Sequence, residues 1–164
     1  MTKQFKLAIT FGRFNLLHKG HIDLFKQMAG MAEKVTIGIS SAASNLSLRD
    51  RSQVINCALD NDSDFYADYG VLPKRQPFEF AAEIKQYDPN QVVLFLGQDQ
   101  WELAKAFERH FGITVILIPR ITSSSAVRGM IDAEDWTALT SHVPMSIFNK
   151  VIQLRETELC LTSR

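Results

Sequence analysis

Five short apolar runs, separated by longer stretches of helical periodicity, restrict this chain more than any other feature. Residues 92–96 are five consecutive apolar residues, the pattern of a strand covered on both faces in a parallel sheet. Residues 7–10 and 115–118 are similar, and Val35, Ile37 and Ile39 alternate with smaller or polar neighbours. Residues 65–72 form a weaker strand candidate closed by Pro73. Between these runs, Ile22, Phe25, Met28, Ala29 and Ala32 mark one helical face over residues 21–33. Residues 49–59, 78–87 (closed by Pro89) and 103–111 (closed by Gly112) also suit helices. Pro144 suits a first helical position, with Ile147, Phe148, Val151 and Ile152 as the stripe behind it. This order predicts an α/β fold: a Rossmann-like open parallel five-stranded sheet with helices on both faces and a helical C-terminus. Ligands of such sheets bind at the carboxyl ends of the strands, where strand order reverses. The loops after strands one, four and five are therefore the places to look for chemistry.

The chain has 164 residues, with no repeat, low-complexity tract or Pro/Gly-rich linker. Residues 1–164 are thus expected to form one domain. Lys plus Arg and Asp plus Glu number 18 each, so the basic excess typical of nucleic-acid binders is missing and none is expected as a partner. The first apolar run is too short for a signal-peptide core or a membrane span, which points to the cytoplasm and away from a membrane. Cys57 and Cys160 show no metal or redox spacing and read as reduced packing or surface thiols.

The loop after the first strand runs from Gly12 through Arg13, Phe14, His18, Lys19 and Gly20 to His21. Gly12 permits a tight turn and close approach to a phosphate. Gly20 does the same at a helix start, where unpaired amides favour anions. His18 and His21 are three apart and can reach one ligand, and Lys19 adds charge nearby. The two histidines could instead be metal ligands or a structural pair. No third ligand completes a metal pattern, so no protein metal site is expected. The loop after the fifth strand carries Ser123, Ser124 and Ser125, then Arg128. One hydroxyl suffices for a helix cap; three followed by an arginine make an anion cradle. Asp99, after the fourth strand, could accept from ribose hydroxyls or cap the helix carrying Trp101.

Gly12, Phe14, His18, Gly20 and His21 match the Gly-x-Phe-x-x-x-His-x-Gly-His motif, and Ser123, Ser124, Ser125, Val127 and Arg128 match the second motif of the same superfamily, with Thr122 at its usual Ile. The chain resembles the nucleotidylyltransferases, most of all the archaeal-type nicotinamide mononucleotide adenylyltransferases. Residues 37–42 resemble their Gly-Ile-Gly-Ser-Ala loop. The segment from Arg128 through Trp136 to Pro144 resembles their arginine helix and Val-Pro segment. The resemblance implies in-line attack by an acceptor phosphate on the α-phosphate of ATP, without a protein nucleophile. It assigns His18 and His21 to the triphosphate and Ser123, Ser124, Ser125 and Arg128 to the departing pyrophosphate. Gly12, Arg13, Phe14, Lys19, Gly20 and Asp99 would line the ATP site. Ser40, Ser41 and Arg51 would serve the substrate, with Mg2+ held largely by ATP and water. Nicotinamide mononucleotide is the expected acceptor. Phosphopantetheine with ATP, glycerol phosphate or choline phosphate with CTP, and a non-catalytic nucleotide-binding module are the alternatives. A class I aminoacyl-tRNA synthetase fragment shares a similar first motif but needs a Lys-Met-Ser-Lys-Ser type of loop that the chain lacks. A homo-oligomer is expected from the same likeness, with Phe65, Tyr66, Phe78 and Phe80 as contact surface or core.

Overall fold

The computed structural model describes residues 3–41, 44–119 and 123–162. Its five strands are β1 (Phe5–Gly12), β2 (Ala32–Ser40), β3 (Asp68–Lys74), β4 (Val92–Gly97) and β5 (Thr114–Ile118). They form one sheet in the order β3-β2-β1-β4-β5, and all four pairings are parallel. The seven helices are α1 (Lys19–Met31), α2 (Leu48–Asp60), α3 (Ala81–Ile84), α4 (Trp101–Phe111), α5 (Ser124–Asp132), α6 (Trp136–His142) and α7 (Phe148–Thr162).

Strand periodicity splits the apolar residues between two cores. Val93 and Phe95 of β4 join Ala8, Val35 and residues of α1, α2, α5, α6 and α7 on one face. Val92, Leu94 and Leu96 join Leu7, Ile9, Ile84 of α3 and Phe107 of α4 on the other. Right-handed crossovers explain the division. The chain winds outward from β1 to β3 with α1 and α2 on one face, then returns past β1 to β4 and places α4 on the other. The reversal falls between β1 and β4, which share a buried bond from Thr10 Oγ1 to Phe95 O of 3.0 Å. Among the described residues no helix is long and apolar enough to cross a membrane.

The details depart from the sequence pattern in four places. Helix α1 stops at Met31, because Ala32 turns extended and pairs with Phe5 as the first residue of β2. Strand β3 starts at Asp68 and continues through Pro73, which pairs with Ile39. Lys74 O accepts from Ser41 N at 2.9 Å, so the polar groups of Lys74 face β2 and those of Pro73 face the free edge. There a missing N–H breaks no ladder bond.

Residues 78–87 do not make one helix. A 3-10 turn at Pro77–Phe80 precedes the single turn of α3, because Phe80 plugs the space above Gly38, where a Cβ would stand 2.2 Å from its ring. Phe80 and Phe65 are core residues, whereas Tyr66 is 77% exposed. Pro144 precedes a 3-10 turn at Met145–Ile147 before α7 starts. Gly112 does close α4, in the left-handed region at φ 68°. Cys57 is half-buried and Cys160 exposed.

Candidate active site

The carboxyl end of β1 leads into a loop with an unusual backbone. Phe14 has φ 49°, a left-handed value that costs a bulky residue energy and needs firm packing to persist. Its ring is buried against Phe25 at 5.5 Å and edge-on to His21 at 5.1 Å. It also fills the space beside Gly12, where a Cβ would lie 3.2 Å from the ring. Asn15 accepts from Ser44 Oγ at 2.7 Å, which ties this loop to the one after β2.

The two histidines cap α1. His18 is the N-cap, and its Nδ1 accepts from Gly20 N at 3.1 Å. His21, three residues on, returns the arrangement: its Nδ1 accepts from His18 N at 3.3 Å. This is the reciprocal geometry of a capping box, built from imidazoles instead of Ser and Glu. A ring nitrogen that accepts carries no proton, so each neutral ring bears its hydrogen on Nε2. The rings stack at 3.8 Å and present two Nε2–H donors at a helix N-terminus. A Cβ at Gly20 would come within 2.9 Å of the His18 ring, so a larger residue there displaces the ring from its amide. His18 is buried, and burial pushes its pKa down to about 4, helped by electrostatic coupling to His142.

Helix α5 brings the serine motif to the same place. Ser123 is the N-cap, accepting from Ala126 N at 3.1 Å. Ser124 Oγ donates to Leu16 O at 3.3 Å, two residues before His18, so the two motifs meet through a direct bond. Ser125 is exposed. Arg128 lies one turn beyond Ser124 on the same helix face. Its Nε donates to Glu158 Oε1 at 2.9 Å and its Nη2 to Glu158 Oε2 at 2.7 Å.

Arg13 and Lys19 are exposed beside the histidines. Asp99 sits inside a 3-10 turn, Gln98–Gln100, with its Oδ1 folded over Gly97. The cap position of α4 belongs to Gln100, so Asp99 is not the cap of the helix carrying Trp101. Ser40 is buried at the end of β2 and Ser41 exposed beyond it. Arg51, expected from the sequence to meet the substrate, is only 2% exposed. Its Nη1 donates to Arg13 O at 2.8 Å and Ser40 O at 2.9 Å, and its Nε to Ser47 O at 3.3 Å. It braces the ends of the first two strands' loops. Burial lowers its pKa, with carbonyl dipoles in place of a carboxylate partner. Ala42 of the second loop, and Arg120 to Thr122 of the serine loop, lie outside the described residues.

Two residues of the neighbourhood carry no motif. His142 closes α6 with Nδ1 2.8 Å from Ala138 O, and Glu158 is buried on α7. Glu158 had a signal: it falls four residues after Leu154 on the stripe through Ile147 and Val151, where an apolar residue is expected. Among the described residues no group of three His, Cys, Asp or Glu side chains could hold a metal ion.

The sequence profile of the Cytidylyltransferase-like family matches residues 9–160. No curated protein matches the sequence. Among solved structures, nicotinic acid mononucleotide adenylyltransferase of Plasmodium falciparum complexed with NaAD is similar, with a TM-score of 0.69 and 14% identity over 93% of this chain and 98% of that one. The same enzyme complexed with APC gives a TM-score of 0.70 at 14% identity, with the same coverage. A bifunctional NMN adenylyltransferase/ADP ribose pyrophosphatase from Francisella tularensis gives 0.65 at 16% identity, over 97% of this chain and 53% of that one. At these identities the likeness is one of fold.

Proposed function

The chain belongs to the cytidylyltransferase-like family of nucleotidylyltransferases, and from that premise we propose that it transfers AMP from ATP to the phosphate of nicotinamide mononucleotide, forming NAD and pyrophosphate. The observation that carries this reading is the bond from Ser124 to Leu16 O. It joins the serine–arginine helix to the histidine loop and sets two helix starts side by side, where one triphosphate would bridge them. Both elements begin at helix N-termini, where amides and dipole favour negative charge.

In the proposed reaction, an oxygen of the acceptor phosphate forms a bond to the α-phosphorus of ATP. The bond from that phosphorus to the bridging oxygen breaks, and pyrophosphate leaves with the electron pair. The protein positions and stabilises charge. His18 and His21 donate from Nε2 to the α-phosphate region and the bridging oxygen. They do so as neutral rings, because their Nδ1 atoms are held by the backbone. Ser123, Ser124, Ser125 and Arg128 hold the pyrophosphate, while Arg13 and Lys19 add contacts from the exposed side. Asp99 takes the ribose, and Gly12, Phe14 and Gly20 shape the floor. Ser40 and Ser41 border the acceptor, with Arg51 bracing them from behind. Mg2+ would neutralise phosphate charge and would be held largely by the triphosphate and water.

The test is pyrophosphate release over a grid of ATP and CTP against nicotinamide mononucleotide, nicotinic acid mononucleotide, phosphopantetheine, glycerol phosphate and choline phosphate. Release with ATP and nicotinamide mononucleotide above every other combination is expected. Preferential release with CTP and an alcohol phosphate would replace both donor and acceptor. Tight ATP binding with no release anywhere would make the protein a binding module.

A further inference from the structure

Glu158 stands where α7 should present an apolar side chain. Ile147, Val151 and Leu154 occupy the preceding positions of the stripe and are buried. Placing a carboxylate there carries a desolvation penalty, and a well-packed apolar residue is often as good for stability. The carboxylate is engaged by two arginines. Arg128 forks onto it through Nε and Nη2, and Arg155 Nη1 approaches Oε1 at 3.4 Å. Arg155 in turn forks onto Asp132 through Nε at 2.9 Å and Nη2 at 2.7 Å. Asp132 is the last residue of α5, so the chain of charges starts and ends on the helix that carries the serine motif.

The fork fixes the plane of the Arg128 guanidinium, because two parallel bonds to one carboxylate leave it little rotation. Its Nη1 makes no bond to another described residue and stays available for an anion. We infer that Glu158 is a positioning residue, which aims Nη1 of Arg128 at the pyrophosphate end of the proposed triphosphate clamp. Arg155 and Asp132 keep Glu158 from following its partner: when Arg128 meets an anion, the carboxylate remains tethered to α5. The C-terminal helix thereby becomes part of the phosphate site without touching the ligand. This inference rests on the clamp proposed above.

A double-mutant cycle tests it, with inorganic pyrophosphate as the probe and calorimetry on the full chain. Glu158→Ala is expected to weaken pyrophosphate binding roughly tenfold, the scale found when partners that orient metal-ligating groups are removed. In the Arg128→Ala background the same change should matter less than twofold, because there is no guanidinium left to aim. Glu158→Gln, which keeps the volume but cannot accept both N–H groups, should follow the alanine variant and serves if the latter fails to fold. Equal losses in both backgrounds, or no loss with Arg128 present, would overturn the positioning role alone. Failure of the unmutated protein to bind pyrophosphate would overturn the clamp and this inference together. The expected cycle without turnover of nicotinamide mononucleotide would support the positioning role and reject only the acceptor.

Discussion

Acidification should attack the site and the fold through the same atom. His18 Nδ1 accepts from Gly20 N, so a proton there removes the cap of α1 and puts a positive charge beside His21 and His142. The folded protein resists that proton: the pKa of His18 falls from 6.5 to about 4. The unfolded chain, with an ordinary histidine, takes it up readily. Between the two values the unfolded state binds more protons, and stability must fall as pH falls. Protonation linkage puts the loss from this one group at about 2 kcal/mol between pH 7 and pH 5, and about 3 kcal/mol once the pH is below 4. Other groups also titrate in this range, so a variant must isolate the contribution. His18→Asn suits, since asparagine is among the best N-caps and does not ionise. Urea unfolding of both proteins at pH 5, 6 and 7, followed by circular dichroism, gives the comparison. The advantage of the native protein over the variant should shrink by about 2 kcal/mol from pH 7 to pH 5. A difference that stays constant across the series would refute the neutral, backbone-bound imidazole.

Three further outcomes test the site. His21→Ala should lower turnover by roughly a hundred- to a thousandfold, the cost of losing one transition-state donor, with the protein still folded by circular dichroism; survival within a few fold would remove His21 from the chemistry. Gly20→Ala should place a Cβ 2.9 Å from the His18 ring and rotate it off its amide. A misplacement of about 1 Å can cost on the order of a hundredfold in rate, and steady-state kinetics with unchanged values would show that the ring need not sit there. Arg51→Met should destabilise by about 3 kcal/mol in urea unfolding, since it strips three carbonyls of a buried donor; Arg51→Lys should rescue little, because one ammonium cannot span them as the planar fork does.

Much of this was legible in the sequence because the signals are local. The continuous apolar run of β4 requires cover on both faces, and two cores supply it. The motif glycines and histidines lie within one turn of each other, so their spacing alone brings them together. What was not legible depends on which surface meets which. Pro73 reads as a terminator, yet it sits within β3, because only position at the sheet edge makes its missing N–H harmless. Arg51 in the sequence is a cation near a phosphate site; burial among carbonyls turns it into a brace. Glu158 and His142 belong to the C-terminal helices, and only the packing of α5 against α6 and α7 gives them a neighbour to act on.

The outward-facing Pro73 also bears on how copies of this chain can meet. An open sheet margin offers a row of donors and acceptors to any extended segment, its own kind included. At the β3 margin one donor of that row is gone, and the strand begins with the exposed Asp68. Extension of the sheet across this edge is therefore disfavoured. Backbone pairing between copies is thereby left to the opposite margin, β5, a strand without proline or charge.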